Sequence, residues 1–171
     1  MTPREDEPRA RTLPPSAVIT LGGNAILPAG GTGTFEEQLS ITRGTMEPIA
    51  RLVKEGMTVV LSHGNGPIVG NILIRNEAVR DQIPPMPLDV CGADSQGGIG
   101  YMMQQALQNE LRRIGVDRAV VTVVTQVIVD ERDPAFRRPT KPIGPFYTPE
   151  RARTLATEKG WTVAEDRWRR G

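Results

Sequence analysis

The amino-acid sequence predicts an α/β protein built on a mainly parallel sheet. Short apolar runs rich in β-branched residues alternate with longer segments whose apolar residues recur every three or four positions. The runs suit strands that are buried on both faces, whereas the longer segments suit helices that pack on a sheet. This alternation is typical of βαβ units, in which consecutive strands run parallel and are joined by right-handed crossovers.

The boundaries of the elements follow from local patterns. The apolar runs predict strands at 17–21, 57–62 and 118–129. The helical spacing predicts helices at 35–55, 68–79, 94–115 and 148–160. The last helix has the clearest ends, because Thr148 suits the N-cap, Pro149 the first helical position and Gly160 the C-terminal stop.

The composition narrows the class of protein. The 171 residues correspond to about one domain, and 21 Lys+Arg against 20 Asp+Glu give a net charge of +1. That balance disfavours a protein that binds nucleic acid through a basic face. No apolar run reaches the roughly 18 residues of a membrane-spanning helix, and residues 1–15 lack the apolar core of a signal peptide. We therefore expect a cytoplasmic protein without a nucleic-acid or membrane partner.

The scarcity of cysteine and histidine limits the chemistry. Cys91 is the single cysteine and His63 the single histidine. One chain therefore forms no internal disulfide and no site with several histidine ligands, and we expect no metal site on it. Cys91 suits a small buried side chain rather than a nucleophile, because no base is visible beside it. His63 suits a hydrogen bond near its turn more than acid–base work.

Two regions depart from the alternation of strands and helices. Residues 1–15 combine six charged residues with several prolines and predict a disordered tail, because they offer too little apolar surface to offset the entropy of ordering. Residues 130–147 carry four prolines and predict an excursion from the sheet. Since three strands are fewer than most sheets contain, we expect the chain to be a fragment or a truncated product.

Two glycine-rich turns share one design: each follows a predicted strand, contains asparagine and precedes a helix. Their residues are Gly22, Gly23 and Asn24 in the first turn, and Gly64, Asn65 and Gly66 in the second. Glycine allows a tight turn with converging N–H groups, and a helix start adds free donors and a positive dipole end. In a parallel sheet both turns lie at the same edge, so together they predict an uncharged cradle for a carboxylate or phosphate. Alone, each turn is equally well a plain connector.

Nucleotide-binding signatures are absent from these turns. The sequence contains neither GxxxxGK[ST] nor GxGxxG, so a P-loop and a dinucleotide fold are not supported. Lys141 is the second candidate feature, because it is one of three lysines and stands between Pro139 and Pro142 in a stiff loop. Such a loop suits an ammonium held over a phosphoryl group. The alternative is a solvated loop lysine.

Four polar residues near the predicted start of the third helix are weaker candidates. Ser95 and Gln96 are placed to line the same pocket as the turns. Asp89 and Asp94 suit either polar neighbours of that pocket or helix caps.

Four ordered motifs resemble the carbamate kinase family, which has the amino acid kinase fold. They are LGGNA at 21–25, SHGNGP at 62–67, PLDVCGADSQGGIGY at 87–101 and DPAFRRPTKPIGPFY at 133–147. The resemblance implies a three-layer α/β/α sandwich with a mainly parallel sheet, here incomplete, and a protruding subdomain. It implies a carbamate- and phosphoryl-binding lobe at 16–129. Residues 130–171 would form the subdomain, truncated before a nucleotide-binding lobe.

The resemblance also implies a reaction. The family converts ATP and carbamate to ADP and carbamoyl phosphate with Mg²⁺, ends arginine breakdown in the ATP-forming direction, and is usually homodimeric. By motif, the six turn residues would bind carbamate or carbamoyl phosphate, and Lys141 would reach over them from the subdomain. ATP and Mg²⁺ would be bound mainly by the half that is missing here. One departure is Ile68, which stands where the family commonly has glutamine.

Two other readings of the sequence stay open. An acetylglutamate-type kinase shares the two turns, although the segment around Lys141 resembles the carbamate branch. A non-catalytic anion-binding fragment suits a chain without a nucleotide half. Under either kinase reading, we expect the 171 residues alone not to turn over ATP and to be only marginally stable.

Overall fold

The computed structural model describes residues 15–27, 31–144 and 147–164. The strands are β1 (Ser16–Leu21) and β2 (Thr58–His63). The helices are α1 (Phe35–Lys54), α2 (Gly66–Ala78), α3 (Leu88–Arg113) and α4 (Pro149–Lys159). Two short 3₁₀ turns lie at Gly23–Ala25 and Pro134–Phe136.

The two strands form a parallel pair connected by α1. Their register runs from Ser16 opposite Thr58 to Leu21 opposite His63. A parallel pair requires a crossover connection, and α1 supplies it, so the β1–α1–β2 segment is one βαβ unit. The structure confirms the predicted α/β class with a parallel sheet.

Local capping chemistry explains where the helices begin and end. The Thr34 hydroxyl accepts a hydrogen bond from the Glu37 amide at the start of α1, and the Thr148 hydroxyl does the same for the Arg151 amide at the start of α4. Gly160, with φ at 65°, ends α4 in the left-handed conformation that favours glycine. Helix α3 begins at Leu88, earlier than the predicted residue 94, directly after the proline-rich loop.

Helices α1 and α3 cover one face of the sheet. Met46 and Ala50 of α1 and Leu111 of α3 are almost completely buried in the core between them. Ile19 and Leu61 on the strands pack against this core. The opposite face of the strand pair is open, since the side chains of Val18 and Val60 are 73% and 56% exposed. The described residues therefore supply two layers of the expected sandwich.

The predicted third strand at 118–129 is wrong for this structure. The sheet contains β1 and β2 alone among the described residues, and residues 118–129 carry no strand. Valine-rich runs favour strands because their side chains pack against neighbours on a pleated surface, and neither of the two described strands pairs with this run. Its side chains are accordingly exposed, with Val127 at 82% and Ile128 at 99%.

Glutamine side chains of α3 hold part of this segment in place of a neighbouring strand. The Gln108 amide donates to the Arg118 carbonyl at 2.8 Å and accepts from the Val120 amide at 3.0 Å. In the same way, the side-chain amide of Gln96 donates to the Thr125 carbonyl at 3.2 Å and accepts from the Thr125 amide at 2.8 Å. Each glutamine therefore satisfies one donor and one acceptor that a strand ladder would otherwise pair.

Several expectations about the two ends of the chain stay predictions. The tail at 1–15 lies outside the described residues except for Pro15, and residues 165–171 also lie outside them. The division into a lobe at 16–129 and a subdomain at 130–171 is likewise untested. Within the described residues, no helix has the length and apolar character that crossing a membrane requires.

Replacing Gln108 with alanine should loosen the 118–125 segment. The Val120 amide would lose its acceptor, and one hydrogen bond contributes about 0.5–1.5 kcal/mol, so hydrogen exchange at Val120 should rise roughly two- to tenfold. Gln105→Ala is the matched control, because Gln105 is an exposed glutamine of the same helix. Equal exchange rates at Val120 in the two variants would contradict this role for Gln108.

Candidate anion-binding site

The parallel register brings the two glycine-rich turns together. Leu21 and His63 form the last pair of the ladder, so both strands end at the same level. The Gly64 amide then donates to the Leu21 carbonyl at 3.1 Å, which extends the pairing into the second turn. Both turns lie at the carboxyl edge of the sheet, the edge at which open α/β sheets bind ligands.

The first turn closes on itself through its carbonyl groups. The Gly22 carbonyl accepts from the Ala25 amide, and the Gly23 carbonyl accepts from the amides of Ile26 and Leu27, at 2.8–3.0 Å. Ile26 is 2% exposed and anchors the turn in the core. The backbone of Gly23 is thereby fixed at the sheet edge. The side chain of Asn24 lies outside what the structure describes.

The second turn leads directly into α2. Asn65 stands at the N-cap, but its side chain makes no cap hydrogen bond. Its amide group instead donates to the Ser95 hydroxyl of α3 at 3.3 Å, and that hydroxyl donates to the Gly92 carbonyl at 2.6 Å. In the first turn of α2 only the amides of Gly66 and Ile68 are without a helical partner, because the residue between them is proline and has no N–H. This end of the helix carries the positive end of its dipole. This arrangement suits a negatively charged ligand.

The turn glycines matter for space rather than for conformation. The sequence argument assigned them to a tight turn, yet none of Gly22, Gly23, Gly64 and Gly66 has a positive φ. A Cβ atom built on any of the four would meet nothing within 4 Å. The absence of side chains therefore leaves the backbone of both turns open to close approach by a ligand.

A shallow depression joins the two turns; its cavity volume is only about 10 Å³, and it opens to solvent. It is lined by Gly23, Ile26, Leu27, Gly64, Asn65, Gly66, Ile68 and Ile99. The lining contains no charged side chain. The sequence argument missed the apolar wall, to which Ile99 comes from α3. Ile68, the departure from the family pattern, belongs to this wall.

Glu37 of α1 fixes the loop beside the depression. Its carboxylate accepts from the Thr32 hydroxyl at 2.7 Å and from the Gly33 amide at 2.8 Å. These hydrogen bonds, the Thr32 bond first, lower the pKa of Glu37 below its usual value. A Cβ built on Gly33 would lie 3.6 Å from the Leu27 side chain. The Glu37 carboxylate thus holds the backbone of the loop at Thr32 and Gly33.

Lys141 does not line the depression. Lys141 is exposed, lies in the irregular segment that precedes Gly144, and is not among the lining residues. The structure therefore brings the backbones of six of the seven proposed site residues together in the two turns at the sheet edge. It leaves Lys141 outside the lining of the depression.

The weaker sequence candidates divide between the site and other contacts. Ser95 is fully buried and reaches the site by its bond to Asn65. Gln96 was expected to line the pocket but bonds the backbone of Thr125 instead. The His63 ring bonds the Gly64 carbonyl through Nδ1 at 3.0 Å, as expected of a hydrogen bond near the turn. Cys91 is fully buried beside the Met86 carbonyl.

Asp89 and Asp94 are exposed, and Asp89 lies in the first turn of α3, where its charge favours the helix dipole. Across the described ranges, no group of three or more His, Cys, Asp or Glu residues is arranged to hold a metal ion. A larger depression, of about 200 Å³, lies on the exposed loop 131–137 and is lined only by residues close in sequence. The depression at the sheet edge differs from it because residues of separate elements meet there.

Known proteins resemble this chain in sequence. The carbamate kinase of Pyrococcus horikoshii is 52% identical over 163 residues, which cover 92% of this chain and 52% of that protein. No protein-family profile matches the chain. This chain is homologous to carbamate kinases. It spans about half the length of the curated carbamate kinases it matches.

Solved carbamate kinases share the fold. The Giardia lamblia enzyme bound to citric acid matches with a TM-score of 0.86 at 44% identity, covering 91% of this chain and 50% of that one. The Giardia lamblia enzyme bound to AMP-PNP matches with a TM-score of 0.75 at 42% identity, over 92% of this chain and 50% of that one. The homology confirms the resemblance that the sequence motifs indicated.

Proposed function

We propose that the chain is the carbamate- and phosphoryl-binding half of a carbamate kinase, which interconverts ATP and carbamate with ADP and carbamoyl phosphate. The single observation that carries this proposal is the hydrogen bond from the Gly64 amide to the Leu21 carbonyl, which joins the two open turns at one sheet edge. The homology to carbamate kinases supports the choice of reaction.

The proposed substrate fits the chemistry of the depression. Carbamate and carbamoyl phosphate are small anions, and the start of α2 beside the depression offers amides without a helical partner, while the lining carries no charged side chain. The Gly64 amide is already bonded to the Leu21 carbonyl and orders the turn instead. Phosphoryl transfer depends mainly on positioning and on stabilising charge, which fixed N–H groups provide without a nucleophilic side chain. We assign Gly22, Gly23 and Asn24 and then Gly64, Asn65 and Gly66 to this binding.

Lys141 supplies positive charge in the proposal. An ammonium on a stiff loop acts as a point charge for the phosphoryl oxygens. The lining of the depression contains no positively charged side chain of its own. The proposed role therefore needs the loop to bring Lys141 towards the two turns during binding.

The depression does not fit Mg²⁺, because its lining offers no carboxylate. We therefore place the ligands of Mg²⁺ and of the nucleotide on the part of the enzyme that the chain does not match. We further propose that the complete enzyme is a cytoplasmic homodimer that acts in arginine breakdown, with small molecules rather than nucleic acid or membranes as its partners.

The open alternatives differ in the ligand that each would bind most tightly. An acetylglutamate-type kinase would bind acetylglutamate at the same turns, and a non-catalytic fragment would bind anions without regard to the carbamoyl group. Calorimetric titration with carbamoyl phosphate, acetylglutamate and inorganic phosphate distinguishes the three. The proposal requires carbamoyl phosphate to bind most tightly.

Placing a negative charge in the cradle should abolish most of this binding. Asn65→Asp puts a carboxylate beside the bound anion, and two like charges about 4 Å apart repel by about 1–4 kcal/mol, so affinity for carbamoyl phosphate should fall roughly fivefold or more. Asn109→Asp makes the same charge change on an exposed position of α3. If calorimetry gives equal affinities for the two variants, the anion does not bind at these turns.

Turnover should require both halves and Lys141. We expect no carbamate-dependent ADP formation by the 171-residue chain, and activity once it is joined to the unmatched half of the Pyrococcus horikoshii relative. In that completed enzyme, Lys141→Ala should lower kcat by about 100-fold or more, as loss of one charge-stabilising donor does. Lys54→Ala removes an exposed lysine of α1 as the control, and a similar loss in both variants would remove Lys141 from the reaction.

A further inference from the structure

Helix α2 makes one unusually close contact with the segment that carries Lys141. A Cβ atom built on the buried Gly70 would lie 2.8 Å from the Gly144 Cα, 3.1 Å from its N and 3.4 Å from its C atom. Backbone atoms do not rotate away as a side chain does. Gly144 would have to retreat by more than half an ångström before ordinary contact at 3.4 Å is reached. Close approach, and not helix geometry, therefore requires glycine at position 70.

The same contact restricts the loop on its other side. Gly144 has a φ of 108°, a conformation that side-chain-bearing residues rarely adopt. Lys141 lies three residues earlier, and a chain spans at most about 3.3–3.6 Å per residue, so the Lys141 Cα lies within about 11 Å of Gly144. Pro139 and Pro142 stiffen the intervening loop. The contact at Gly70 thus limits where Lys141 can be.

The position of Gly70 relates this loop to the cradle. Gly70 follows Gly66 by four residues, so it lies one helical turn, about 6 Å, from the start of α2. A second contact lies seven residues further along α2, where Lys159 Nζ of α4 is 3.7 Å from the Glu77 carboxylate. Positions 70 and 77 share one helix face. Both the loop and α4 therefore rest on the same side of α2.

The two contacts differ in how firmly they hold their segments, α4 and the Lys141 loop, against α2. The Lys159–Glu77 ion pair is partly exposed, and such pairs contribute little and depend on salt. The Gly70–Gly144 contact is a backbone-to-backbone approach that tolerates no added atom. Gly70 is therefore the residue that sets how close the loop comes to α2.

We propose that Gly70 is a positioning residue for Lys141: the missing side chain lets the Lys141 loop close onto α2 one turn from the cradle. The inference rests on the proposed function for its catalytic meaning. The docking itself does not depend on which ligand binds, so the two claims fail separately.

A spin-label experiment tests the docking without activity. Thr140→Cys, in a chain whose buried Cys91 is replaced by alanine, places a nitroxide next to Lys141. The label should broaden the amide signals of Gly64 and Gly66 in the otherwise unchanged chain, and Gly70→Ala should weaken that broadening, because the added methyl group moves the loop away from α2. Gly44→Ala is the control, because Gly44 is a helical glycine with nothing within 4 Å of a built Cβ.

The outcomes decide the docking claim even if Gly70→Ala does not fold. No broadening of Gly64 and Gly66 in the labelled parent chain would overturn it. Undiminished broadening in a folded Gly70→Ala chain would overturn it as well. Weaker broadening in Gly70→Ala, with unchanged broadening in Gly44→Ala, supports it.

The link to Lys141 needs a separate measurement with carbamoyl phosphate as the probe. Gly70→Ala should weaken binding in the parent chain but should cause no further loss in a Lys141→Ala chain. Additive losses would mean that Gly70 acts other than through Lys141, and would overturn its positioning role. If carbamoyl phosphate binds neither parent nor variant, the proposed function fails, while the spin-label result still decides the docking.

Discussion

The candidate site depends on the parallel, in-register pairing of β1 and β2. Because Leu21 and His63 are the last paired residues, the two turns leave the sheet side by side, and the Gly64 amide bonds back to Leu21. A slip of one residue would turn Ile19 and the rest of the inward face towards solvent. Burial of that face under α1 and α3 therefore fixes the register, and the register fixes the site.

The cradle combines rigid support with an open front. Ile26 anchors the first turn in the core, and the Asn65–Ser95 hydrogen bond ties the second turn to α3. Open space lies in front of the glycines on both turns. A ligand can therefore approach main-chain donors whose positions are already set, which reduces the reorganisation that binding would otherwise require.

Local sequence signals predicted the elements that are stabilised locally. Helix α4 was predictable because Thr148 and Gly160 mark its ends through contacts with neighbours in the chain. Helix α1 was predictable from the helical spacing of its apolar residues. The 118–129 run was not, because a strand exists only where another strand pairs with it. The hydrogen bonds between the Gln96 side chain and the Thr125 backbone join residues that are 29 positions apart, so no local sequence pattern reveals them.

The same distinction applies to the site. Adjacent turns followed from the two strand–turn–helix patterns and the parallel sheet, whereas the apolar wall depended on how α3 packs. Ile99 and Leu27 reach the depression from separate elements, and Gly70 is demanded by a contact with residue 144 that is remote in sequence. A glycine inside a predicted helix is the one sequence signal that could have drawn attention to that contact.

The central claim is that the two turns act together as one anion site. It is tested most directly by following the amide resonances of Gly23 and Gly64 in the same sample as carbamoyl phosphate is added. The account predicts that both amides shift along one saturation curve with a common dissociation constant. Movement of only one amide, or two curves with different midpoints, would contradict it.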